Sequence, residues 1–215
     1  MKLVSLALFA PLVMPYAPTA PEPLVMQHLR LAARDFCKKT RCWREVISMP
    51  ITANPIVPDL GCAATIVAVQ SAKLNERDLE PVPFDSVDIE TYMTKPGQAY
   101  QFTQDQDDRF IILPFEAGVL TMSLYLAPAG GPRTIARDPQ AEPQNKVPAF
   151  LFDEHVEAIA HGALSRIMSI PAQEYTNGSM AAYFAAKFED AAAEASTMSL
   201  KGKQRAPMRT KARFM

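Results

Sequence analysis

The chain has 215 residues, 48% of them apolar and 21% charged, with a formal net charge of −1. Those figures are those of an ordinary globular protein, long enough to bury a sizeable core in one large domain or two small ones. An odd set of three cysteines (Cys37, Cys42 and Cys62) excludes a closed disulfide framework and fits reduced thiols in an intracellular setting.

Taken in order, residues 1–20 read as a short apolar turn or helix followed by a proline-rich extended arm. Lys2 and the apolar run Leu3–Ala10 resemble a secretory signal, with Ala17-Pro18-Thr19-Ala20 as a crude cleavage site. The run stops at Pro11, and Pro15 and Pro18 follow, which is short for a signal. No stretch approaches the length of about 18 apolar residues that a membrane helix needs.

From Pro23, which suits a helix's first turn, a helix is predicted through about Cys42. It places Val25, Leu29, Ala32, Ala33 and Phe36 on one face and Arg30, Arg34, Lys38 and Lys39 mainly elsewhere.

The texture then changes: 12 of the chain's 19 prolines fall between Met49 and Pro148, too dense for long helices. Short β-rich runs are predicted at Ala64–Val69, Val82–Ile89, Ala99–Thr103, Arg109–Pro114 and Val119–Leu126. The last alternates best, with Leu120, Met122, Leu124 and Leu126 on one side. Pro96-Gly97 and Asp105 to Asp108 are turn material, and Gly130 through Gln144 reads as a longer loop.

Two further helices are predicted beyond Val147. The first, from about Phe150, stacks Val156, Ile159, Ala160, Ala163, Leu164, Ile167 and Met168, and Pro171 should end it near Ser169 or Ile170. The second is capped by Ser179 or Asn177 and carries Met180, Tyr183, Phe184, Lys187, Phe188, Ala191, Ala192 and Ala195. So short a connection implies an antiparallel pair, completed by the helix at 23–44.

The fold class expected is therefore α+β. A three-helix bundle-like layer (the N-terminal helix plus the C-terminal pair) carries an inserted antiparallel β module and extended terminal arms. The boundaries expected are 1–22 for an N-terminal arm, 23–44 with 148–198 for the helical domain, 45–147 for the β module and 199–215 for a basic C-terminal arm.

That last segment holds Lys201, Lys203, Arg205, Arg209, Lys211 and Arg213 and no carboxylate, leaving 16 basic against 23 acidic residues in the remainder. An acidic body with a basic tail suggests a tail that docks. Leu200, Met208 and Phe214 give it apolar anchors, which purely solvating tails seldom carry, while its few aromatics argue against sequence-specific nucleic-acid reading. Lys201, Lys203, Arg205, Arg209, Lys211, Arg213 and Phe214 are the candidate interface residues of an arm laid against an acidic protein surface.

No catalytic or metal motif emerges. His155 and His161 are six apart, on different faces of a helix, unlike the four-residue spacing of a helical zinc pair. Cys37 and Cys42 lack the two-residue gap of a redox or zinc knuckle. Asp105, Asp107 and Asp108 lack the glycine and distal glutamate of a calcium loop. Asn177-Gly178-Ser179 is no nucleophile elbow, and the eight glycines form no phosphate loop. The expectation is no enzyme, no metal and no cofactor. Paired carboxylates meeting in space would be the exception.

Three segments nevertheless resemble a family. The first is the proline-rich opening, Pro21-Glu22-Pro23-Leu24-Val25, and the helix Leu29-Arg30-Leu31-Ala32-Ala33-Arg34-Asp35-Phe36-Cys37-Lys38-Lys39-Thr40-Arg41-Cys42-Trp43. The second is Val147-Pro148 through His155-Val156-Glu157-Ala158-Ile159-Ala160-His161-Gly162-Ala163-Leu164 to Pro171. The third is Ala182-Tyr183-Phe184-Ala185-Ala186-Lys187-Phe188, then an Ala-rich helix and a basic tail closing on Arg213-Phe214. In order and spacing, bracketing a β insertion, these resemble the head-to-tail adaptor (connector or neck) proteins of tailed bacteriophages. The resemblance implies a structural virion protein of the neck, assembled in the host cytoplasm. It would form a homo-oligomeric ring, a dodecamer, between the portal protein and the tail nozzle or tail tube. Genomic DNA would pass through the channel without sequence-specific contact. No membrane is involved and no catalytic residue carries over. The alternative is a small secreted or periplasmic binding protein whose first 20 residues are a signal.

Overall fold

The structure, a computed structural model, describes residues 2–60, 64–87, 97–106, 108–129 and 146–201. The chain divides into two compact units, Met1–Cys42 with Ala141–Met215, and Trp43–Gln140. The result is an α+β architecture with a six-stranded β module, as the residue patterns predict.

The first unit begins with strand β1 (Leu3–Ser5), a 3-10 turn (Leu6–Phe9) and the short helix α1 (Ala10–Val13). Helix α2 (Glu22–Thr40) follows, and after the second unit come strand β8 (Lys146–Pro148), helix α3 (Ala149–Met168) and helix α4 (Gly178–Lys201). On α2 the predicted stripe is buried: Val25, Leu29, Ala32, Ala33 and Phe36 are all inside. The helix ends where Arg41 turns left-handed (φ 51°) and returns its amide to the Cys37 carbonyl at 2.9 Å. On α3 Ile159, Ala160, Ala163, Leu164, Ile167 and Met168 are buried, and the backbone kinks at His155 (φ −133°, ψ 18°). Ser169 caps its end, two residues before Pro171. Of the two cap candidates for α4 the accepting group is Asn177, whose Oδ1 takes the Met180 amide at 3.1 Å. Its stripe is narrower than predicted: Phe184, Phe188, Ala192 and Ala195 are buried, but Tyr183 faces out with the Lys187 ammonium over its ring.

Gly162 is where the three long helices meet. A methyl group there would stand 2.7 Å from the Phe188 ring and 3.1 Å from the Ala32 methyl, so only a bare Cα lets the axes approach this closely. Around it, Phe36 packs edge-on to Phe188 with ring centres 6.1 Å apart, and ion pairs join Arg166 to Asp35 and Lys39 to Glu189.

The opening residues depart from the expected arm. Leu6, Phe9, Val13, Ala17 and Ala20 are buried, and β1 pairs antiparallel with β8, Val4 opposite Val147. Phe9 meets Phe152 edge-on at 5.3 Å. The physical reason is spacing: these five residues recur every three or four positions, and Pro11 sits in a helix's first turn, where its missing N–H costs nothing. The segment is therefore part of the core, which counts against reading it as a signal.

The second unit is a sheet in the order β2-β7-β3-β4-β5-β6. Its strands are β2 (Arg44–Ile51), β3 (Ala64–Leu74), β4 (Arg77–Pro81), β5 (Gln101–Gln106), β6 (Arg109–Leu113) and β7 (Gly118–Pro128). As predicted, β7 buries Leu120, Met122, Leu124 and Leu126. It pairs antiparallel with both β2 and β3. The module is not wholly antiparallel, because β4 and β5 run parallel, Glu80 opposite Gln101. The strand expected at Val82–Ile89 also differs: Pro83 leads into a 3-10 turn at Phe84–Ser86, and residues 88–89 lie outside the described residues. The loop expected from Gly130 through Gln144 likewise lies outside them.

Polar groups pin the turns of this unit. Asn75 (φ 47°) and Glu76 (φ 68°) make the left-handed pair that a tight two-residue hairpin requires. The Asn75 Oδ1 accepts the Val119 amide at 2.9 Å, and a Cβ on Gly118 would overlap that side chain at 2.4 Å. Glu116 joins the same cluster, accepting the Ala99 amide at 2.9 Å and pairing with Arg77. At the β6 edge the Asn54 amide donates to the Ile112 carbonyl at 2.8 Å and accepts its N–H at 3.1 Å. Together with the Ile56 backbone, which bridges antiparallel to Phe110, this side chain covers that edge.

Candidate interaction surfaces

The residues singled out for chemistry lie apart, in structural roles. His155 packs on Phe36 with ring centres 4.7 Å apart. His161 stacks on Phe184 at 5.4 Å, and its pKa is lowered, chiefly by burial. His28 is also pushed down, by burial and then by the Arg166 charge. Cys37 is buried, and its thiol is held well above the usual range by hydrogen bonding to Cys42 and by burial, so it is poorly suited to nucleophilic work. Cys62 lies outside the described residues. Asp105 pairs with Arg109 at 2.9 Å across the β5–β6 hairpin. Asp107 lies outside the described residues. Among the described residues no group of three or more His, Cys, Asp or Glu side chains is placed to hold a metal ion, and no helix is long and apolar enough to cross a membrane.

Of the predicted interface residues, Lys201 closes α4, while Lys203, Arg205, Arg209, Lys211, Arg213 and Phe214 lie outside the described residues. At that end of α4 the Ser199 hydroxyl donates to the Arg41 carbonyl at 3.1 Å. A second feature of the same unit went unread in the sequence. The opening segment presents an apolar outer side: Leu8 is 50% exposed, Leu12 39% and Tyr16 52%. From Leu3 to Pro21 no side chain is charged. Tyr16 packs edge-on to Phe184 at 5.2 Å, and Phe184 packs on Tyr183, itself 53% exposed. Exposed apolar residues in such a row are characteristic of protein-binding surfaces rather than of solvated ones. The signal available was the repeat of Leu8, Leu12 and Tyr16 every four residues, interleaved with the buried Leu6, Phe9 and Val13.

Helix α3, which packs against α1, carries exposed carboxylates. Asp153 and Glu157 are exposed on the first turns of α3, next to Phe152, the ring that Phe9 touches. Glu157 also acts on the charge of His161, whose ring lies on Phe184 beneath Tyr16.

No curated protein sequence matches the chain. The family model of the SU10 adaptor protein matches it over residues 7–211, both units and most of the basic tail included. The chain therefore belongs to the SU10 adaptor protein family, and its role is that of a phage adaptor-type, structural protein.

Proposed function

We propose that this protein is a head-to-tail adaptor, a ring that links the phage portal to the tail and continues the channel through which DNA passes. The family match across residues 7–211 is the observation that carries this reading. Two features support it. The acidic body and basic C-terminal arm give opposite charges on one chain, which favours contact between copies placed head to tail around an axis. The apolar strip of Leu8, Leu12 and Tyr16 gives the helical unit a surface that gains by being covered.

In this reading twelve copies form the ring in the neck of the virion, assembled in the host cytoplasm. The portal protein lies on one side and the tail nozzle or tail tube on the other. Lys201, Lys203, Arg205, Arg209, Lys211, Arg213 and Phe214 are the clasp. The work is done by adhesion, and an acidic lumen lets DNA slide because like charges do not bind.

The test is electron microscopy of the purified protein with and without portal rings. A closed ring seated on one end of the portal, coaxial with its channel, is the expected result. Portal rings that stay bare at saturating adaptor concentration would overturn the reading.

A further inference from the structure

We propose that the C-terminal arm of a second copy of this chain, residues 202–215, seats on the strip formed by Leu8, Leu12 and Tyr16, its basic side chains lying against Asp153 and Glu157. The inference rests on the adaptor reading and names the surface that receives the arm.

Three observations carry it. The first is chemical fit. The opening segment is uncharged from Leu3 to Pro21, and α3, which packs against α1, exposes Asp153 and Glu157, while the arm alternates apolar anchors, Met208 and Phe214, with basic residues. Apolar contact at the centre with paired charges at the rim is the anatomy of a specific protein interface.

The second is reach. The arm has 14 residues beyond Lys201 and so spans at most about 46 Å when extended, ample to cross to an adjacent molecule.

The third is direction. Tyr183 and Phe184 lie near the start of α4, beside Tyr16, whereas Ser199 at its far end is tied to the end of α2. At about 1.5 Å per residue the exit of α4 at Lys201 is roughly 27 Å from Tyr183, and the helix axis points away from the strip. A chain leaving there heads for a neighbour and would have to reverse to cover its own strip. An arm passed always to the next molecule makes a heterologous contact, the kind that closes rings.

The experiment uses full-length chains throughout. One variant keeps the arm and spoils the strip, Leu8→Ser with Tyr16→Ser. The other keeps the strip and spoils the arm, Arg205→Glu with Arg209→Glu and Phe214→Ser. Sedimentation velocity and native mass spectrometry are run on each alone and on the mixture. Wild type is expected to self-associate, each variant alone to associate about tenfold more weakly, and the mixture to form one-to-one pairs that grow no further. Pairing in the mixture also shows that both variants are folded. A third variant, Asp153→Asn with Glu157→Gln, keeps the shape and should weaken association several-fold with a shallower salt dependence.

The proposal is overturned if the strip variant associates like wild type. It is also overturned if wild type stays monomeric, or if the mixture fails to pair while both variants keep wild-type hydrogen exchange. Portal binding by wild type is measured alongside. If it survives any of those outcomes, the arm-to-strip contact alone has failed; if wild type leaves the portal bare, the adaptor reading has failed.

Discussion

The helical unit is knitted by side chains and the β unit by backbone. In the first, three helices approach through Gly162 and are held by Phe36, Phe188 and two ion pairs, so its order depends on shape at a few buried points. In the second, β7 is hydrogen-bonded along its length to β2 and β3, and short polar side chains (Asn54, Asn75, Glu116) fix where strands turn and stop. Packing of the first kind is intolerant of volume, whereas ladders of the second kind are intolerant of lost partners.

The largest effects should come from emptying each core in turn. Phe36→Ala should cost about 3–5 kcal/mol and Leu124→Ala about 2–5 kcal/mol, because both side chains are fully buried. Hydrogen exchange followed by mass spectrometry separates them: Phe36→Ala should strip protection first from α2, α3 and α4, Leu124→Ala first from β2, β3 and β7. Protection lost uniformly in both variants would mean the two units share one cooperative core.

Next comes overpacking. Gly162→Leu should cost about 3 kcal/mol or more in a denaturant titration, since the added atoms have to displace the Phe188 ring. A neutral result would show that the helices can slide apart and that the helical unit tolerates added volume at its centre.

Acid should discriminate the units by pH window. His161 and His28 have folded pKa values below the usual 6.5, so the folded state binds fewer protons than the unfolded chain. Their contribution is present above that unfolded value and is lost as pH falls through the lowered folded ones. Glu116 is held below its ordinary carboxylate value, chiefly by the Ala99 amide and then by Arg77. Its contribution is present above the usual 4.5 and is lost only as pH falls through the depressed value. Acidification should therefore loosen the helical unit before the β unit. His28→Gln with His161→Gln should flatten the first loss, read by circular dichroism at helical wavelengths.

The smallest effect is a gain. Gly178→Ala at the start of α4 meets nothing within 4 Å and should stabilise by a few tenths of a kcal/mol, up to about 1 kcal/mol.

The same contrast explains what the amino-acid sequence disclosed. Helical stripes persist over many turns, so α2 and α3 were readable nearly residue by residue from Val25 to Phe36 and from Ile159 to Met168. The β7 alternation was equally plain. Strand β2 went unseen because as an end strand it buries only Ile51 fully, and Pro50 looks like a breaker although an edge tolerates it. Strand β4 has Leu79 as its one buried residue. The turn between β3 and β4 uses Asn-Glu where Asn-Gly would have announced it. The opening segment reads as an extended arm because its prolines mask a helical spacing. Of the candidate interface, the arm was visible as charge, since charge is countable. The strip was not: whether Leu8 faces in or out depends on partners far along the chain.

The pairing of β1 with β8 and of α2 with α3 has a consequence for synthesis. Leu29 and Phe36 leave the ribosome more than 100 residues ahead of α3, which covers them. At about 5–20 residues per second that is a wait of roughly 5–20 s with a greasy helix unsheltered. The β module, being continuous in sequence, can fold during the interval; the helical layer cannot close until nearly the whole chain is translated. Nascent molecules should therefore engage trigger-type chaperones through α2, and production in a host short of them should yield aggregates nucleated there.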